Sequence, residues 1–114
     1  MILKVNGKEI ATDIDYAHSP FSQAIGLMFR RKIDEDYALI FVMKKAKRLS
    51  LHMLFVNFPI GAVFLDDNKR VIKISRLKPW IGICSCSGKA KYVVEMSHGK
   101  IDLMNIEIGD LFDF

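Results

Sequence analysis

Several things are scarce in this chain. It has two cysteines in 114 residues, which excludes a disulfide scaffold. Three prolines and seven glycines exclude collagen-like and low-complexity chains. No uncharged apolar run reaches the roughly 20 residues of a membrane-spanning helix. The nearest stretch, Leu49 to Leu65, has no formal charge but contains His52, Asn57 and a Pro59–Gly61 break. Met1–Gly7 lacks the basic start and small-residue cleavage site of an export signal. The expected location is therefore a reducing cytoplasm, with both thiols free. The chain also lacks a phosphate-cradling glycine loop, a Gly-x-Ser-x-Gly elbow and a His-Glu-x-x-His pair. With no linker and no internal repeat, residues 1–114 read as one domain.

What is present supports a packed core. Apolar residues make up 51% of the chain, enough to offset ordering entropy and exclude disorder. Seventeen Lys and Arg against thirteen Asp and Glu leave +4. That excess allows weak attraction to nucleic acid or anionic lipid and requires neither. Asn6-Gly7 between short β-prone runs signals a hairpin over residues 1–12. Ser19-Pro20, then Phe21, Ile25 and Met28 at spacings of four and three, predict one short helix near residues 19–29. Ala38–Met43 and Ile60–Leu65 are continuous apolar runs, as in strands covered on both faces. Lys44–Arg48 reads as a basic turn, Asp66–Lys69 as a hairpin loop, and Val71–Ile74 as the returning strand. Leu77–Gly88 reads as irregular, and Lys91–Ser97 alternates like a strand. Residues 100–105 fit a helical turn or a strand, and Ile106–Phe114 a short strand pair about Gly109-Asp110. The fold class is α+β, mainly β: a small single-domain coiled sheet or barrel.

The order of several short motifs resembles a known family. Gly26-Leu27-Met28-Phe29-Arg30 precedes the Leu39-Ile40-Phe41 strand. His52-Met53, Pro59-Ile60 and Val63-Phe64-Leu65-Asp66 follow, then Val71 and Pro79-Trp80. Tyr92-Val93-Val94-Glu95, Gly99 and Ile108-Gly109-Asp110 complete the set. Each is unspecific alone, but together, from about Ser19 to Phe112, they resemble domain of unknown function 192, also called uncharacterised protein family 0127. His52-Met53, where many relatives have Trp-Met, resembles the archaeal branch more closely. Many relatives carry an acid just after the Pro-Ile pair. Here Gly61 stands there, so a site served by that acid would be altered. The resemblance implies a small, mainly β domain and brings no activity with it.

Candidate chemistry rests on a few side chains. Arg30, after the expected helix, could hold a carboxylate or phosphate in its planar fork. The plainer alternative is an ion pair with Asp66 or Glu95. His52, among apolar neighbours, could be a general base, a ligand or a core histidine with one hydrogen bond. His52, Asn57, Asp66 and Glu95 could gather in one pocket. Cys84 and Cys86 would share a strand face and are weak metal candidates, short of two further ligands; two independent thiols in a loop is the reading preferred. The basic stretches Lys44–Arg48 and Lys69–Lys78, with Trp80 and Tyr92, suggest nucleic acid. Solvated loops and lysine-guarded edges are the preferred explanation, and the acidic runs count against nucleic acid.

The leading expectation is a non-catalytic binding module. Its pocket lies beside the helix end, and Arg30 and His52 are carried inward as anchors for a small molecule or a partner's segment. The alternative is an enzyme, such as a hydrolase, using His52 with Asp66 or Glu95. A weak nucleic-acid binder comes last. No cofactor and no membrane partner are expected, and the chain is read as a monomer or homodimer.

Overall fold

In a computed structural model of the chain, Asn6 and Gly7 both take left-handed backbone, with φ of +50° and +83°. Two successive positive φ values make the tight turn whose twist suits a β-hairpin. It joins β1 (Leu3–Val5) to β2 (Lys8–Ala11), as Asn-Gly predicts. The structure describes residues 2–19, 26–28, 30–53 and 55–114, and of Ser87 only the backbone. The helix expected near residues 19–29 falls mostly on 20–25 and 29, outside the described residues.

Among the described residues, six further strands and one short helix follow. They are β3 (Asp13–Ala17), β4 (Tyr37–His52), β5 (Ile60–Leu65), β6 (Val71–Leu77), β7 (Ile83–Ser97), α1 (Lys100–Leu103) and β8 (Phe112–Asp113). They form two open sheets, ordered β2-β1-β8 and β3-β4-β7-β5-β6. Among the described strands only β3 and β4 run parallel. The mainly β class holds, and the described strands form two open sheets rather than a closed barrel.

The continuous apolar runs are covered on both faces. β5 is buried along its whole length, as is β4 from Tyr37 to Phe41. On one face of the five-stranded sheet, Ile40, Val63, Leu65 and Val94 pack with Leu3, Val5, Ile10 and Phe112 of the smaller sheet. On the other, Leu39, Phe41, Phe64 and Val93 pack with Leu51, Met53 and Val56. Burying each large side chain stabilises by roughly 1.5–3 kcal/mol. Leu51 lies twelve positions beyond Leu39 on the same strand, yet both enter one core. The register of β4 against β7 slips between Val42 and Leu49. Such irregularities bend a strand, and here the bend folds the far part of the β4–β7 arm back over the sheet.

Four local readings are corrected. Lys44–Arg48 is no turn: β4 continues through it, with Lys47 opposite Ala90 and Leu49 opposite Cys86. Lysines tolerate a strand whose face meets water. Leu77–Gly88 is irregular only over 78–82, and β7 begins at Ile83. Ile106–Phe114 does not pair with itself. Instead β8 joins β1, with Lys4 opposite Asp113 and Val5 opposite Phe112, because the buried Phe112 belongs to the core across the chain. β3 lies where no strand is foreseen.

Gly61 earns its place through a close approach. A Cβ there would sit 2.7 Å from Ile101 Cδ1 and 3.6 Å from Met96 Cγ. An acidic side chain at position 61 and the α1 isoleucine therefore compete for one space. Gly61→Ala is expected to cost about 1–2 kcal/mol in urea denaturation. Ile101→Val, which removes Cδ1, should recover part of that cost in the double variant, giving non-additivity of at least about 0.5 kcal/mol.

Candidate functional site

On β3, alternation sets Asp13 and Asp15 on the same side, both exposed. Among the described strands β3 lies at the sheet edge, paired with β4 alone. Asp13 lies opposite Tyr37 and Asp15 opposite Leu39. The segment from Arg30 to Asp36 leads into β4 and is tied to β3 at its end. The Thr12 and Asp13 amides donate to the Asp36 carbonyl at 3.2 Å each, and the Thr12 hydroxyl donates to the Asp36 carboxylate. The Thr12 hydroxyl holds the Asp36 carboxyl below its ordinary range.

These two segments enclose a cleft of about 260 Å³. Asp13 and Asp15 line it from β3, Arg30, Lys32 and Asp34 from the connection, and Tyr37 from β4. Tyr37 is buried and its hydroxyl donates to Asp15 Oδ2 at 2.9 Å. Burial, reinforced by that bond to a carboxylate, pushes its phenol up to about 12. The Arg30 guanidinium lies over the Tyr37 ring, 4.9 Å from its centroid. Its Nη2 is 3.7 Å from Asp15 Oδ2, too long for a tight charge-assisted hydrogen bond. The Arg30 side chain remains 41% exposed. The Arg30 carbonyl accepts from Asn57 Nδ2 at 3.2 Å. The cleft thus offers three carboxylates, two cations and a phenol. No Ser, Cys or His is among its described lining residues. A phenol held near 12 stays protonated at neutral pH and is poorly matched to proton transfer there.

The other residues singled out in the sequence lie elsewhere. His52 is exposed at the end of β4, between buried Leu51 and Met53. Alternation turns it away from the core, so neither it nor Arg30 is carried inward. Asn57 braces two loops, since its Oδ1 accepts from Trp80 Nε1 at 2.9 Å while its Nδ2 holds the Arg30 carbonyl. Asp66 organises the β5–β6 turn, its Oδ1 accepting from the Asn68 and Arg70 amides at 2.9 Å each. Glu95 is buried on central strand β7, between Leu39 of β4 and Ala62 of β5. Its Oε1 has no hydrogen-bond partner, and burial raises its carboxyl to about 7. The four do not gather in one pocket, and the alternative pairings of Arg30 with Asp66 or Glu95 give way to Asp15. Cys84 and Cys86 are free thiols in strand β7 rather than in a loop, facing Leu51 and Leu49 in the core. Among the described residues no three metal-ligating side chains cluster.

Sequence reading missed Asp13, Asp15, Lys32, Asp34 and Tyr37. The Asp13-Ile14-Asp15 alternation was the available signal, since it places two carboxylates on one strand side.

The chain shares its fold and its kinship with known proteins. A UPF0127 protein of Pyrococcus furiosus is 35% identical over 116 residues, spanning 100% of this chain and 97% of the relative. A UPF0127 protein of Pyrococcus horikoshii is 34% identical, spanning 86% of this chain and 84% of the relative. A crystal structure of a protein of unknown function from Novosphingobium aromaticivorans superposes with a TM-score of 0.90 at 22% identity, over 99% of this chain and 84% of that one. A structure from Sinorhizobium meliloti gives 0.89 at 19% identity, over 97% and 90%. At those identities the two structures share the fold alone. The sequence profile of DUF192, described as Uncharacterized ACR, COG1430, matches residues 1–114, and this chain belongs to that family.

Proposed function

We propose that the protein is a non-catalytic binding module of the cytoplasm and that its ligand is a small zwitterion. The observation that carries this reading is Arg30, steadied over the Tyr37 ring yet only loosely engaged by Asp15. A guanidinium so placed can turn its fork to an incoming carboxylate without first breaking a tight pair. Asp13 and Asp34, across the same cleft, would take an ammonium group. The volume suits a free amino acid or the end of a peptide, being smaller than sites for drug-sized ligands. Two unpaired thiols fit a reducing compartment.

Calorimetric titration with free amino acids, and with amines and carboxylates of matching size, tests the reading. A zwitterion should bind more tightly than either half. Arg30→Ala should weaken binding at least tenfold, consistent with loss of a charge-assisted pair. No binding by any zwitterion, or binding indifferent to Arg30→Ala, would overturn it.

A further inference from the structure

The charges are divided unevenly along the chain. Residues 37–94 contain 11 of the 17 Lys and Arg but only two of the 13 acids, Asp66 and Asp67. That span carries +9, and the rest of the chain −5. Its two acids sit in the β5–β6 turn, beside β8, where the Phe112 amide donates to the Lys69 carbonyl. From that turn β6 runs away to Leu77, and the loop after it holds a different kind of surface.

At the far end of the β4–β7 arm, two loops are bonded into one tip. The Met53 amide donates to the Gly82 carbonyl at 2.9 Å, and the Trp80 amide to the Val56 carbonyl at 3.1 Å. Phe55 and Trp80 meet edge to face, 5.1 Å between centroids. Both take positive φ, +61° and +64°. Backbone of that kind in bulky residues is costly, and the surrounding bonds hold it. The result is an apolar tip in which Trp80 is 46%, Ile81 77% and Ile83 76% exposed. Cations flank it. Lys78 is in the tip loop, Arg48 shares an exposed strand face with Ile83, and the Lys73 ammonium reaches the Ser85 carbonyl at 2.7 Å.

We propose that this tip docks the protein on an anionic lipid surface. The isoleucines and the indole would enter the boundary between headgroups and acyl chains, and the arm's cations would face the lipid phosphates. Charge complementarity selects the bilayer, and the aliphatic tip distinguishes it from nucleic acid. Ile81 and Ile83 offer a base neither a hydrogen bond nor a π face. Trp80 is already braced by Phe55 and by Asn57, which suits an anchor better than a stacking platform. This is docking on a surface, not spanning: among the described residues no helix is long and apolar enough to cross a membrane.

The chain's single tryptophan is the reporter. At low salt, vesicles of phosphatidylcholine with about one third phosphatidylglycerol should sediment the protein and shift Trp80 emission to the blue. Pure phosphatidylcholine vesicles should bind at least tenfold more weakly. The double variant Ile81→Ser, Ile83→Ser changes only exposed side chains and should keep the wild-type circular dichroism. Its vesicle affinity should fall at least tenfold. Lys78→Ala and Arg48→Ala should each lower affinity by about fivefold. Absence of binding to anionic vesicles at low salt would overturn the proposal, as would binding that ignores the isoleucines. Tighter binding to DNA than to anionic vesicles, with Trp80 emission unmoved, would overturn it in favour of a polyanion site.

Discussion

Replacing Glu95 with methionine should make the protein more stable, and by an amount that grows with pH. Glu95 sits inside the five-stranded sheet with Oε1 unpartnered. Its carboxyl is raised by burial from 4.5 to about 7. Below about pH 4.5 the group is neutral both folded and unfolded, so it imposes no electrostatic cost. Between about 4.5 and 7 the unfolded chain ionises freely while the folded one holds its proton. Stability therefore falls as pH rises through that window and levels off above it. A shift of this size corresponds to about 3 kcal/mol. Methionine has nearly the same shape and cannot ionise. The stability difference between Glu95→Met and wild type, from urea denaturation, should widen by about 3 kcal/mol between pH 4 and pH 8. Comparing the two proteins cancels the titration of every other group. A difference constant across that range would mean that Glu95 is solvated or paired, and would refute the account.

Phe112→Ala should be the more damaging change. Phe112 is fully buried and packs with Leu3, Val5 and Ile10 between the two sheets. Its amide donates to the Lys69 carbonyl at 2.9 Å, so the backbone is held while the ring is removed. A cavity remains that the surrounding strands cannot close, and the expected loss is about 3–5 kcal/mol. The Val5–Phe112 pairing should loosen with it, which hydrogen exchange at β1 amides would report. A loss under about 1 kcal/mol would show that β8 is peripheral to the core.

What could be read from the residues was local. Asn6-Gly7 announced its hairpin because both residues suit positive φ. The unbroken apolar runs of β4 and β5 announced burial on both faces. Asp66–Lys69 announced its turn through residue types that accept amide hydrogen bonds. Non-local features were hidden. Nothing near Phe112 indicates that its partner is Val5, more than a hundred residues away. Nothing in Lys44–Arg48 indicates that the strand continues, because pairing with β7 decides it. The site follows the same division. Arg30 stood out as an arginine with a planar fork. Its companions Asp15 and Tyr37 are assembled by a parallel edge pairing that no short window contains. His52 looked central because its neighbours are apolar, yet alternation gives the core to those neighbours and leaves the imidazole outside.

The junction of β1 with β8 also bears on how the molecule is made. β1 leaves the ribosome before β8 and can form its hairpin with β2 at once, a fast local event. Its other edge must wait, because the strand that covers it is translated more than a hundred residues later. During that interval an unpaired edge and half of one core face the crowded cell. The short length of β1 and the lysine at its centre, Lys4, limit the adhesion of nascent chains to one another until β8 arrives.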